Sequence, residues 1–226
     1  FAVTAVARLY SVPQMHNGRS RANGMKTRIQ ILALAALLAG SVPGAASAQE
    51  EAPPDDARPT VYAVDIRGPI EPVLMRMLER MLREAEEQEA DAIIVRMDTP
   101  GGLVSAADDI VKLFSDLTLP VYTFVERDAI SAGAIISLST DEIWMTPGSR
   151  IGDAMPILVS PFGGVQELPA DIKEKQVSYV AGMIRSLAQQ NGYDVELVEC
   201  MVRIEMEYKL GDEVLCKEGE LLTLTA

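Results

Sequence analysis

The stretch that decides the fold is "DAIIVRMDTPGGLVSAADDIVKLFSDLTLPVYTFVERDAISAGAIISL", residues 91–138. Two short runs in it, DAIIVRMD (91–98) and PVYTFVE (120–126), have the length and the β-branched and aromatic composition of strands. Between them, residues 103–117 repeat apolar side chains at helical spacing, and TPGG marks the turn that leads into this helix. ISAGAIISLST (130–140) predicts a second helix. Strands that alternate with helices through short connections predict an α/β fold with a mainly parallel sheet.

The flanking sequence continues the alternation in both directions. TVYAVDI (60–66) and DEIWMTP (141–147) predict strands, and residues 71–90 predict a helix. The buried face of that helix is expected to carry Leu74, Met77, Leu78, Met81, Leu82 and Ala85. The apolar run 91–98 is of the kind that a parallel sheet buries on both faces. Residues 148–169 are rich in glycine and proline and predict a loop with one short hairpin. A helix over 170–190 is then expected to bury Val177, Val180, Ile184 and Leu187.

Residues 1–59 are expected to lie outside the folded domain. The sequence starts with Phe1, and residues 1–24 are interpreted as upstream translation that is not native protein. Residues 25–48 have the basic start, apolar centre and Ala-Ser-Ala ending of a signal peptide, which predicts export and a mature start at Gln49. The apolar run is short for a membrane span, and an uncleaved anchor is the alternative. Residues 49–59 are acidic and proline-rich, as in a linker, so 60–226 form one domain.

Charge excludes one class of partner. Residues 1–48 contain five basic residues and no acidic residue, which leaves residues 49–226 with 15 basic and 33 acidic residues and a net charge of −18. Such a surface repels nucleic acids, because phosphate binding depends on clustered lysine and arginine. Nucleic acid is therefore not an expected partner.

The numbers and positions of histidine and cysteine limit which catalytic and metal sites are possible. The single histidine, His16, precedes the predicted mature start. Residues 49–226 therefore cannot form a Ser-His-Asp triad or a histidine metal site, and neither a metal nor a cofactor is expected. Cys200 and Cys216 lack the CxxC spacing of metal or redox sites. In an exported protein they could form a disulfide, and two buried free thiols are the alternative.

Candidate catalytic residues follow two neighbouring strands. In open α/β sheets, functional sites usually lie at the carboxyl ends of the strands. Gly101 and Gly102 follow the first strand, and Ser131 lies where the second strand passes into a helix of small residues, as in a nucleophile elbow. The N–H groups of Gly102 and Ala132 could then bind an oxyanion. The alternatives are an ordinary helix N-cap at Ser131 and a simple turn at PGG.

Without histidine, the base for such a serine would have to be a lysine made neutral by desolvation. Lys112 is expected to face solvent, and Lys209 and Lys217 lie in a charged C-terminal stretch. Lys173 and Lys175 begin the helix after the glycine-rich loop, where the helix dipole favours a neutral amine. An exposed, charged first helical turn is the alternative interpretation of these two lysines.

Five segments together resemble one protein family. They are VYAVDIRGPIEPVL (61–74), MDTPGGLV (97–104), RDAISAGAIISL (127–138), IWMTPGSRIGDAMPI (143–157) and IRSLAQQNGYDVELVECMV (184–202). In this order and spacing they resemble the NfeD-type membrane-associated serine proteases, relatives of ClpP that include stomatin-cleaving enzymes. The resemblance covers residues 60 to about 226 and implies a ClpP/crotonase-like fold. Family chains continue beyond this point, so the resemblance also implies a domain truncated at its C-terminus.

The resemblance implies a serine endopeptidase with a Ser-Lys dyad. Its serine falls on Ser131, its lysine on Lys175 with Lys173 as a near alternative, and its oxyanion donors on Gly102 and Ala132. It further implies cleavage of hydrophobic segments of membrane-associated proteins such as stomatins, assembly into homo-oligomers, and a membrane-associated full-length protein on the periplasmic or other extracytoplasmic side.

Two other functions fit the same fold. A non-catalytic scaffold would bind membrane-protein segments and would tolerate loss of Ser131 or Lys175. A crotonase-type enzyme would use the paired N–H groups on an acyl-CoA thioester. A signal peptide and the scarcity of basic residues for the CoA phosphates argue against this third function.

Overall fold

The computed structural model describes residues 7–8, 59–159 and 164–226. The predicted signal peptide at 25–48 and linker residues 49–58 lie outside the described residues. Of residues 1–24, interpreted as upstream translation, only positions 7 and 8 are described. Within the described part of the chain, no helix is long and apolar enough to cross a membrane.

The described elements follow the predicted alternation and add short strands towards the C-terminus. The strands are β1 (Ala7–Arg8), β2 (Val61–Arg67), β3 (Ala92–Thr99), β4 (Val121–Ile130), β5 (Glu142–Met145), β6 (Arg150–Gly152), β7 (Leu158–Val159), β8 (Val165–Gln166), β9 (Tyr208–Leu210), β10 (Glu213–Cys216) and β11 (Thr223–Thr225). The helices are α1 (Pro72–Glu87), α2 (Val104–Ser115), α3 (Ala132–Leu138), α4 (Ala170–Asn191) and α5 (Val195–Glu199).

The main sheet is largely parallel, which confirms the predicted fold class. Its strands lie in the order β1-β5-β4-β3-β2, with β2 to β5 parallel to one another. The residue pair of β1 is antiparallel to β5 at one edge. The single hairpin predicted in the loop 148–169 is present as β7 and β8.

Among the described elements, helices cover only one face of the sheet, and the prediction that residues 91–98 are buried on both faces is wrong. Burial alternates along β3, where Ile93, Val95 and Met97 are fully buried but Ile94 is half-buried and Arg96 is exposed. Tyr122, Phe124 and Trp144 continue this open face on β4 and β5. An apolar run of eight residues is compatible with one or two covered faces, so composition alone did not separate these cases.

The predicted helix faces are largely correct. Val177, Val180, Ile184 and Leu187 of α4 are all buried. On α1 the leucines and Ala85 are buried, but Met77 is 39% exposed and Met81 is half-buried. The buried stripe of α1 is therefore narrower than predicted and consists mainly of leucine.

Strand β4 is longer than predicted and carries the chain to the candidate site. Its register with β3 shifts, since Met97 faces Val125 but Thr99 faces Ala129, so two additional residues of β4 are inserted between these pairs. The first half of β4 pairs with β5 and its last three residues pair with β6, a strand that the sequence did not predict. Such irregularities bend a strand and redirect its end.

Candidate active site

Ser131 occupies a strained turn between β4 and α3. Its backbone has φ 56° and ψ −117°, a conformation that costs a non-glycine residue about 1–3 kcal/mol. It occupies the N-cap position, but its side chain makes no capping hydrogen bond. The alternative that Ser131 serves as an ordinary N-cap is therefore not supported, and its half-buried hydroxyl is not used to stabilise the helix.

Neighbouring backbone holds this turn in place. The Ser131 N–H donates to the Gly152 carbonyl over 2.9 Å, and the Ser131 carbonyl accepts from the N–H of Ala134 over 3.0 Å. A Cβ on Gly133 would lie 2.4 Å from Thr99 Cγ2, so glycine lets α3 pack directly against β3. Ala132 and Ala134 are fully buried. These small residues pack against the core.

The TPGG turn after β3 is fixed by a parallel bridge to Ile70. Ile70 N–H donates to the Gly101 carbonyl and Leu103 N–H donates to the Ile70 carbonyl, both over 2.9 Å. A Cβ on Gly102 would lie 2.2 Å from the Ile70 carbonyl oxygen, so only glycine fits there. The N–H of Gly102 takes no part in the bridge. The N–H of Gly101, by contrast, donates to Thr99 Oγ1 over 3.1 Å.

Thr99 is a supporting residue that the sequence interpretation missed. It is fully buried at the end of β3, and its hydroxyl donates to the Gly68 carbonyl over 2.6 Å while accepting from Gly101. A threonine directly before PGG was the available signal, because a hydroxyl beside a turn commonly bonds the turn's backbone.

The two strand ends touch each other. A Cβ placed on Gly101 would lie 2.6 Å from Ser131 Cβ and 3.1 Å from its Oγ. Gly101 therefore packs directly against the serine side chain. The N–H of Ala132, as the first of helix α3, has no partner within that helix. Ser131 and Ala132 thus lie next to the glycine turn at the carboxyl edge of the sheet.

The two candidate lysines lie on α4 and make no direct bond to Ser131 among the described residues. Lys173 and Lys175 are both exposed in the first turns of α4, and among the described residues neither forms an ion pair or a hydrogen bond to Ser131. Lys175 lines a groove of about 470 Å³, here called the α4 groove. The other residues of the α4 groove are mostly apolar, namely Val104, Pro156, Ile157, Ile172, Gln176, Tyr179 and Val180.

The two lysines differ in their position relative to the glycine turn. The α4 groove reaches Val104, two residues after Gly102. Lys173 instead lines a smaller groove of about 320 Å³ next to β7 and β8, with Leu158 and Gln166. Lys112, as expected, is exposed and pairs with Asp108 over 2.6 Å. In the described ranges, no cluster of three or more His, Cys, Asp or Glu side chains could hold a metal ion.

Packing at Gly101 leads to a test of this geometry. We expect Gly101→Ala to lower the free energy of unfolding by about 2–5 kcal/mol, because it adds a clash with Ser131 to the strain of φ +105°. Urea denaturation of the full chain measures this change. Gly211→Ala is the matched control, since Gly211 also has a positive φ but open space around it, and we expect a loss of only about 1–2 kcal/mol. Equal losses in the two variants would contradict the close contact at Ser131.

Comparisons with known proteins agree with this architecture. Membrane protein NfeD1b from Bacillus subtilis is 34% identical over 167 residues, which cover 74% of this chain and 36% of that protein. Membrane-bound protease PH1510 from Pyrococcus horikoshii is 36% identical over 147 residues, which cover 63% of this chain and 32% of that protein. The chain thus spans about a third of the length of the curated relatives it matches.

Solved structures and a family model add to these relatives. A serine-to-alanine mutant of the 1510-N membrane-bound stomatin-specific protease is similar with a TM-score of 0.61 and 31% identity, covering 75% of this chain and 74% of that one. A lysine-to-alanine mutant of the same protease in complex with a substrate peptide gives the same TM-score and identity, covering 75% and 70%. The model of the NfeD1b N-terminal domain matches residues 60–226, and the chain therefore belongs to the NfeD1b N-terminal domain family.

Proposed function

We propose that residues 60–226 form a serine endopeptidase domain that uses a Ser-Lys dyad and cleaves hydrophobic segments of membrane-associated proteins. The observation that carries the proposal is the strained backbone at Ser131. The Ser131 hydroxyl does not cap the helix, and its side chain packs against Gly101. Strain at a strand-to-helix turn is a feature of exposed nucleophiles. Two relatives, a membrane-bound protease and a stomatin-specific protease, support the same reaction class.

The mechanism assigns one role to each group. Neutral Lys175 accepts the proton of Ser131 Oγ as this oxygen attacks the peptide carbonyl carbon. The N–H groups of Gly102 and Ala132 donate to the oxyanion of the tetrahedral intermediate. Lys175 then gives its proton to the leaving amine, and water hydrolyses the ester on Ser131. No cofactor or metal takes part.

Lys175 is preferred to Lys173 because of its groove. The α4 groove extends from Lys175 to Val104, beside the glycine turn, whereas Lys173 lies towards β7 and β8. In the free chain Lys175 is exposed. An apolar segment bound in the α4 groove would remove water from the amine and favour its neutral form. The base would thus become active when substrate covers it. That the solved relatives carry a serine and a lysine substitution supports this choice of residue types.

The α4 groove also suggests the substrate class. Ile157, Ile172 and Tyr179 are 58%, 42% and 56% exposed, so the groove presents apolar side chains to solvent. Such a surface fits an extended hydrophobic segment, and a net charge of −18 over residues 49–226 disfavours acidic ligands. We propose stomatin-like membrane proteins as partners, action on the extracytoplasmic side after export, and assembly into homo-oligomers.

Peptide cleavage tests the proposed reaction. The full chain is incubated with a hydrophobic 15-residue peptide and with a matched peptide in which serines replace the apolar residues, and the products are identified by mass spectrometry. We expect cleavage of the hydrophobic peptide only, because polar side chains contribute little binding free energy in the apolar α4 groove. Binding of the hydrophobic peptide without cleavage would favour the scaffold function. The exposed Lys175 of the free chain is the observation that keeps that second function open.

A further inference from the structure

Cys200 and Cys216 are the only two cysteines of the chain, and the structure brings them into contact. Cys200 directly follows α5 and is fully buried, while Cys216 ends β10 and is 3% exposed. Both thiols are free, and the Cys216 thiol donates to the Met206 carbonyl over 3.5 Å. Cys216 lies opposite Tyr208 in the β9–β10 pair, and Tyr208 bonds Asp194 at the start of α5, so the hairpin places Cys216 beside the Cys200 end of this short helix. The proposed proteolytic mechanism uses neither of them.

The contact joins a weakly attached hairpin to the domain. Strands β9 and β10 form a two-stranded sheet separate from the main sheet. Most of the hairpin is exposed, including Leu210 and Val214, and only Cys216 in it is fully buried. Tyr208 adds one hydrogen bond, from its hydroxyl to Asp194 over 2.8 Å. Because an isolated two-stranded hairpin is marginally stable in water, this hairpin depends on its few contacts with the domain, which include the packing of Tyr208 and the burial of Cys216.

The same region supports the turn that carries Ser131. The Cys200 carbonyl accepts from Leu222 N–H over 2.9 Å, and the next carbonyl, that of Met201, accepts from Ala154 N–H over 2.7 Å. Ala154 lies two residues after Gly152, whose carbonyl binds the Ser131 N–H. A covalent link at Cys200 would therefore restrain backbone that contacts the candidate site.

We propose that Cys200 and Cys216 form an intramolecular disulfide that fastens the β9–β10 hairpin to the end of α5. The oxidant is a small disulfide such as oxidised glutathione. One cysteine thiolate attacks a glutathione sulfur, which forms a mixed disulfide and releases one glutathione thiolate. The second cysteine thiolate attacks the cysteine sulfur of this mixed disulfide, which closes the Cys200–Cys216 bond and releases the second glutathione thiolate. Two electrons pass to glutathione, and the two cysteine protons end on the two glutathione thiols.

Burial controls when this reaction occurs. Burial and the nearby Cys216 raise the pKa of Cys200 to about 12, so Cys200 holds little thiolate at neutral pH in the folded chain. Both sulfurs are also inaccessible to glutathione in the docked hairpin. The disulfide therefore forms while the hairpin is open, during folding or local opening, and once formed it resists reductants that reach only the folded surface.

Peptide mapping tests the bond directly. The full chain is refolded with a mixture of oxidised and reduced glutathione, free thiols are alkylated under denaturing conditions, and the chain is digested with trypsin. We expect the peptides 186–203 and 210–217 to be joined, with a mass two hydrogen atoms below their sum. Complete alkylation of both cysteines would overturn the proposal, and so would disulfide-linked dimers in place of the internal link.

A melting experiment tests the structural consequence. The link closes a loop with 15 residues between its cysteines, and we expect the oxidised chain to melt about 6–12 °C above the reduced chain. Hydrogen exchange in 208–216 should slow on oxidation. In Cys200→Ala and Cys216→Ala the melting temperature should no longer depend on glutathione. Equal melting of oxidised and reduced wild-type chain would overturn the proposal. All readouts are independent of proteolysis, so failure of the proposed enzymatic function would not affect them.

Discussion

Ser131→Ala is expected to lower kcat/KM for the hydrophobic peptide by about 10⁴-fold or more, because the variant loses the atom that attacks the carbonyl carbon. The fold should survive, since the described residues contain no hydrogen-bond partner of the Ser131 hydroxyl that the change would leave unpaired. Cleavage is measured by quantifying products over time, with circular dichroism to confirm folding.

Ser139→Ala is the matched control for this variant. Ser139 is the C-cap of the same short helix α3, and its hydroxyl donates to the Ile136 carbonyl over 2.6 Å. Its loss removes a serine from the same region without touching the TPGG turn, so we expect activity within a few-fold of wild type. Retained cleavage by Ser131→Ala would assign the reaction to another nucleophile.

Lys175→Ala is expected to lower kcat/KM by about 10²–10⁴-fold, the usual contribution of a positioned general base. Lys175→Arg should be as inactive, because a guanidinium stays protonated and cannot accept the serine proton. Lys173→Ala should remain within a few-fold of wild type, since Lys173 lines a different groove. The measurement is the initial rate of peptide cleavage at several substrate concentrations.

The lysine variants also separate the alternatives for the base. Loss of activity in Lys173→Ala with retention in Lys175→Ala would move the base to Lys173. A loss of peptide binding in Lys175→Ala, with kcat unchanged, would make Lys175 a groove residue and remove it from the proton transfer.

Local sequence patterns predicted the order of strands and helices, because each pattern depends on residues that are close together in the chain. The alternation of strands and helices over 60–147 was correct, since apolar spacing and the TPGG turn both act within a few residues. The prediction that both sheet faces are covered was wrong. Ile94 is only half-buried and Arg96 is exposed, because the described elements place no second helix layer over this face, and such layering is a property of the whole domain.

The candidate site was predictable in part for the same reason. The contact between the PGG turn and Ser131 follows from adjacent parallel strands that end at one edge. The role of Thr99 and the supporting carbonyl of Gly152 depend on a register shift in β4 and on β6, neither of which leaves a local pattern. The environment of Lys175 likewise depends on residues from α2, the loop before β7, and α4.

The measurement that tests the central claim most directly is covalent labelling of the full chain with a fluorophosphonate, which reacts with an activated serine and releases fluoride. We predict one label per chain, on Ser131 within the tryptic peptide 128–150, formed much more slowly in Lys175→Ala than in wild type or Lys173→Ala. A label on another residue, no label, or a rate unchanged by Lys175→Ala would contradict a Ser131 nucleophile activated by Lys175.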